Sequence, residues 1–205
     1  MYSPPYNQLK ERAELLQFMR ANSFAALVTG AEGKLAASHL PVQVREEGDA
    51  IVLDMHMAKN NRQWRAFGAE EVMVVFAGPH AYVSPRWYEE KERVPTWNYA
   101  AVHAYGVPKM VEDKAHKHAN QRQLVATLDP QWLPAFDALK PEYVEMMLNG
   151  IVNFEIAVAR VETRWKLSQN RGRREMELIA EALENSADSA ERALAALTRR
   201  HLVDK

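Results

Sequence analysis

VPTWNYAAVHAYG, residues 94–106, is the stretch whose reading decides the fold. Three aromatic rings, an amide, a hydroxyl and an imidazole sit among small apolar residues, a costly mixture for a strand. Burying Thr96, Asn98 and His103 costs free energy unless each finds a hydrogen-bond partner. These groups are therefore expected to line a cavity, an interface or a ligand. A half-buried strand with one wet face is the plainer alternative, and composition alone does not choose between them.

Working outward, the strand is expected to run on through VPKMV until Pro108 bends it or confines it to an edge. Upstream, Glu89–Arg93 (EEKER) reads as solvated loop, because consecutive charges are not buried together. EVMVVFAG and HAYVSP read as strand on either side of a break at Gly78–Pro79. SFAALVT, KLAASHLPVQV and AIVLDMHM form a β-meander turning at GAEG and EEGD. In the last of these, Ile51, Leu53, Met55 and Met57 share one face and Asp54 and His56 the other, the alternation of a sheet with one buried side. GIVNFEIAVARVE, residues 150–162, is expected as the final strand. Six or seven strands on short turns argue for a closed or nearly closed antiparallel barrel rather than a βαβ sheet.

Helices surround this core. Asn7 is expected to cap one carrying Leu9, Ala13, Leu16 and Met19 at helical spacing and ending near Asn22. Trp64 and Phe67 should pin a short helical turn to the sheet. Residues 113–149 read as a Pro-punctuated helical insertion between strands. Residues 1–170 are thus expected as one domain and 171–205 as a C-terminal helical segment. The class is mainly β with peripheral helices, α+β.

The 205 residues are 47% hydrophobic and carry a formal net charge of -1, enough for a sizeable core and too little for an electrostatic footprint on nucleic acid. DNA stays open as a partner without support from charge. The absence of cysteine excludes disulfides, thiolate metal sites and thiol nucleophiles. MYSPPYNQLKER has neither a basic n-region nor an apolar h-region, and no long apolar run occurs, so a soluble cytoplasmic protein without membrane association is expected.

Three stretches offer site chemistry. HMAKNNRQW, residues 56–64, places Lys59, Asn60, Asn61 and Arg62 where a strand ends, an arrangement able to hold a phosphate or simply a charged loop. ASHLPV, residues 37–42, sets Ser38 and His39 beside a proline. WKLSQNR, residues 165–171, groups Lys166, Ser168, Gln169, Asn170 and Arg171, as a site loop or a polar connector. His39, His56 and His103 have no metal-site spacing. No HExxH, GxSxG or Gly-rich phosphate loop is present, so no catalytic residue and no metal ligand is assigned.

MYSPP, ASHLPV, HMAKNNRQW, GPHAYVSPRWY, PTWNYAAVHAYG and KLSQNR, in this order, resemble the PaiB-type FMN-binding negative transcriptional regulators, a bacterial family of flavin-binding split β-barrels related to pyridoxamine phosphate oxidases. Arg62 departs from the proline that the family usually carries there. The resemblance implies a split-barrel homodimer with FMN at the subunit interface. It implies Lys59 and Asn61, with Arg62 added, at the phosphate end, and Ser38, His39 and His56 along the ribityl side or ring edge. Trp97, Asn98 and His103 would wall the ring, and Lys166, Ser168, Gln169 and Asn170 would close the site. A regulator or flavin-dependent sensor is the first reading; a split-barrel flavin oxidoreductase acting on a small molecule and a haem-binding split barrel are the alternatives.

Overall fold

A computed structural model describes residues 1–31, 33–90 and 92–202. The chain divides into two compact units. One comprises Met1–Phe18, Phe76–His103 and Glu162–Lys205, the other Met19–Val75 and Ala104–Val161. The described elements, in order, are α1 (Arg12–Ala21), β1 (Phe24–Ala31), β2 (Lys34–Glu47), β3 (Ala50–Ala58), β4 (Val72–Val83), β5 (Thr96–Gly106), β6 (Pro108–Val111), α2 (Lys114–Leu128), α3 (Leu133–Asp137), α4 (Pro141–Asn149), β7 (Ile151–Ala157), β8 (Arg160–Lys166), α5 (Arg173–Glu184) and α6 (Ser189–Arg200). The class is the expected one, antiparallel β with peripheral helices.

The unit that starts at Met19 carries the strand order β6-β7-β3-β2-β1 and the opening residues of β4. Its registers place Leu27 opposite Ser38 and Val42 opposite Met55. Asp54 faces Glu155, His56 faces Asn153, and Lys109 also pairs with Glu155. Leu53, Met55, Met57, Phe154 and Ile156 are buried there. Phe67 packs its ring on Phe154 at 4.7 Å, pinning the short 3₁₀ turn Arg62–Ala66 as expected. Trp64 instead donates its indole N–H to the Lys59 carbonyl at 3.0 Å.

In the other unit β5 lies between β4 and β8. Phe18 meets Trp165 at 4.6 Å between ring centroids, and α5 packs on α6. The inward stripes of those helices, Met176, Ile179 and Leu183 on α5 and Leu194 and Leu197 on α6, are buried, as the 3.6-residue period requires.

Several expectations are corrected. Asn7 does not cap α1; it closes a separate 3₁₀ turn, Pro5–Asn7, and is itself buried. The backbone N–H of Leu9 bonds the Thr163 hydroxyl at 2.9 Å, and the buried stripe of the helix is Leu15, Leu16, Phe18 and Met19. Gly78–Pro79 does not break β4. A Cβ at Gly78 would lie 2.5 Å from the Phe18 ring, so glycine is there to admit that ring. The β1 register with β4 covers only Met73–Val75, so no ladder bond to β1 is asked of Pro79.

Strand splitting raises the count among the described residues to eight: β5 and β6 separate at Val107, and the stretch from residue 150 onward forms β7 and β8 around Val158 and Ala159. The second face of β3, which the sequence leaves open to solvent or a site, is covered at Asp54. Asp54 is 3% exposed, because Arg45 bonds its carboxylate and Asn120 of α2 reaches it from above. The charged run at 89–93 is solvent-facing at Glu89, Glu90 and Glu92; Lys91 lies outside the described residues.

Candidate functional site

Lys59 begins the connection that leaves β3. Its backbone N–H donates to the Gly150 carbonyl at 2.9 Å, and that of Asn61 to Ala58 at 2.8 Å. The Asn61 side chain then accepts from the Gln63 N–H at 3.1 Å and donates to the Ser38 hydroxyl at 2.8 Å. Backbone amides at 59, 61 and 63 are therefore committed inside the protein. What remains for an anion is side-chain charge: Lys59 and Arg62 are exposed and form no ion pair among the described residues.

Gln63, which sequence reasoning passed over, anchors this corner. It is buried, and its amide donates to the Leu27 carbonyl at 3.0 Å, the Thr29 hydroxyl at 3.2 Å and the Ala36 carbonyl at 3.2 Å. The only sequence signal for it was a polar residue one position before Trp64.

Alternation along β2 sends Ser38 and His39 to opposite faces. Ser38 goes with buried Leu27 and meets Asn61, whereas His39 is exposed beside Phe24 at 6.0 Å between rings. His56 is half-buried, and burial lowers its pKa, so the ring favours the neutral form. The outer face of β1 and β2 is bare and apolar: Phe24 is 69% exposed and Leu35 82%.

In the other unit, Trp97 stands half-exposed on β5 with His80 at 5.8 Å and Tyr82 at 6.3 Å from its ring. The Lys166 ammonium donates to the Trp97 carbonyl at 2.7 Å and to the Thr96 hydroxyl. Desolvation, followed by the nearby Arg164 and Arg171 charges, lowers the Lys166 pKa. His103 is likewise held low, chiefly by burial.

Asn98 is fully buried and exchanges hydrogen bonds with Ser168, its amide donating at 3.0 Å and accepting the hydroxyl at 3.2 Å. Gln169 braces its own turn, accepting from the Leu167 N–H at 2.8 Å and donating to the Trp165 carbonyl at 2.5 Å. Asn170 is exposed. Asn98, Ser168 and Gln169 thus hold the WKLSQN turn in place, while Trp97 and Lys166 keep a face toward solvent. Asn98→Ala is expected to destabilise by about 1–3 kcal/mol, because Ser168 loses a buried partner; urea unfolding measures it.

Residues 1–160 match the family model described as "Putative FMN-binding domain". This chain belongs to that FMN-binding family. It is 37% identical over 210 residues to the Protease synthase and sporulation protein PAI 2 of Bacillus subtilis, with 96% of each chain covered. The flavocytochrome Anf3 of Azotobacter vinelandii shares the fold at TM-score 0.61 and 16% identity, over 78% of this chain and 69% of that one. The FAD and heme binding protein of Mycobacterium smegmatis shares it at TM-score 0.60 and 16% identity, over 78% and 73%. The fold is therefore the antiparallel split barrel, and FMN is the cofactor that fits the family.

Proposed function

We propose that this protein is a cytoplasmic, homodimeric FMN-binding sensor of the PaiB type, with FMN held at the subunit interface, acting as a negative regulator of transcription. The observation that carries this reading is the pair of unpaired cations, Lys59 and Arg62, at the end of a strand whose sheet leaves a bare apolar face at Phe24 and Leu35. Exposed apolar patches of this kind mark association surfaces, and unpaired cations suit a phosphate.

The residues present fit FMN. Lys59 and Arg62 would hold the phosphate, with Asn61 kept in position by Ser38 and Gln63. His39 and His56, on the outer face, would line the ribityl and ring edge. Trp97 would stack on the flat heterocycle, with Lys166 supplying positive charge at its edge. Asn98, His103, Ser168, Gln169 and Asn170 would shape the wall behind them. FMN, when bound, supplies reversible one- and two-electron chemistry, and a change in its charge biases whatever interface it touches.

Regulation through a partner or through ligand state suits this chain better than a broad phosphate-binding surface. Two basic runs of the C-terminal segment, RGRR at 171–174 and TRRH at 198–201, are largely neutralised: Arg173 pairs with Glu177, Arg174 with Glu89 and Arg199 with Glu184. Among the described residues no helix is long and apolar enough to cross a membrane.

The test is absorbance and mass spectrometry of the cofactor that copurifies, together with light scattering of the folded protein. Flavin bands and a dimer are expected. Lys59→Ala should weaken FMN binding about 10- to 100-fold, the worth of one charge-assisted bond. A Soret band without flavin, or full FMN occupancy in Lys59→Ala together with Arg62→Ala, would overturn the assignment.

A further inference from the structure

On the face of the sheet that α2 covers, Asp54, Glu155 and His116 bring ligand atoms within 4.8 Å of one another. Asp54 is 3% exposed. Nothing in the sequence spacing joins these residues; the β3–β7 register and the lie of α2 do. We propose that they form a binding site for a borderline divalent cation of the Zn²⁺ or Co²⁺ kind.

Charge at this spot is unbalanced. The guanidinium of Arg45 serves three carboxylates, bonding Asp54 Oδ2 at 2.5 Å, Glu155 Oε2 at 3.0 Å and Glu47 as well. It occupies one oxygen of each of the first two. The other oxygens meet only weak partners, the Asn120 amide at 3.5 Å from Asp54 Oδ1 and the exposed Lys109 ammonium at 3.8 Å from Glu155 Oε1. Among the described residues the His116 imidazole makes no hydrogen bond, which leaves its nitrogens available to an ion.

A second observation points the same way. Asn153 is 1% exposed, and its side-chain oxygen has no hydrogen-bond partner among the described residues. It lies two residues before Glu155 on β7 and opposite His56, which lies two residues after Asp54 on β3. The four side chains therefore form one block on one face, at the few-ångström spacing of neighbouring strand pairs. An orphaned buried acceptor beside two half-used carboxylates and a free imidazole is a donor set short of a cation.

One imidazole and two carboxylates suit a borderline ion, leaving a fourth position open. Access is provided by a cavity of about 490 Å³ bounded by β2 and α2, which reaches Asp54, Arg45 and Asn120. The ion would also do mechanical work. α2 has no buried residue along its fifteen, so apolar packing holds it weakly, and a ligand from His116 would fasten it to β3 and β7.

The site is tested by titrating the purified protein with Co²⁺, followed by visible absorbance, and with Zn²⁺ by calorimetry, with and without FMN. Saturable binding of one ion per chain is expected, with tetrahedral-type Co²⁺ bands and a raised melting temperature in Zn²⁺. His116→Ala, on a surface helix, should fold normally yet bind at least tenfold more weakly, and Asp54→Asn likewise. His201→Ala, which removes a histidine that meets Glu14 in the other unit, should leave binding unchanged. Absence of one-to-one binding, or equal affinity in His116→Ala and wild type, would overturn the proposal whatever the flavin content.

Discussion

Gly106→Ala is expected to destabilise the fold by about 3 kcal/mol or more, the upper part of the range for overpacking a tight site. A Cβ at this position would sit 2.3 Å from the Ala157 carbonyl oxygen and 2.7 Å from the Ile156 side chain. The first obstacle is backbone and cannot swing aside. Either β5 or the end of β7 must move, and β7 is registered along its whole length with β3. For a chain of this size the melting temperature should fall by roughly 6–12 °C. A normal melting curve would mean that the two backbones part more easily than their packing implies.

Trp165→Ala should cost about 3–5 kcal/mol, the usual loss for deleting a buried tryptophan. Its side chain is 2% exposed and lies against Phe18 at 4.6 Å. Trp165→Phe is the informative companion. The indole N–H has no hydrogen-bond partner among the described residues, so phenylalanine keeps an aromatic contact and removes an unsatisfied donor. Its loss should be clearly smaller than that of alanine in urea unfolding. Equal losses would indicate that the indole N–H is engaged after all.

How far residues announce their structure differs between the two halves of the problem. The meander was legible because Ile51, Leu53, Met55 and Met57 alternate and Gly-containing turns punctuate them; local chemistry and tertiary packing agree there. The break at Gly78–Pro79 was misread because its glycine answers to Phe18, a residue sixty positions away. The start of α1 was misplaced for a similar reason: Leu9 is tied to Thr163 rather than to its own helix.

At the site, Lys59, Arg62, Trp97 and Lys166 could be picked out as chemistry because charged and aromatic groups in short motifs are visible in a string. That Asn98 and Ser168 satisfy each other depends on β5 lying beside β8, which no spacing reveals; that Ser38 and His39 diverge follows from strand alternation alone and is open to the sequence. Asp54, His116 and Glu155 lie still further from legibility, since three separate elements supply them.

Ser168 holds φ at 66°, the left-handed backbone that side chains rarely adopt, while its hydroxyl serves Asn98. Two demands that no single property measures meet at one codon. Threonine, the exchange a substitution matrix would favour, keeps the oxygen but its branched Cβ resists that backbone. Glycine relaxes the backbone and forfeits the oxygen. A saturation library at position 168 should therefore rank threonine below glycine, and serine above both.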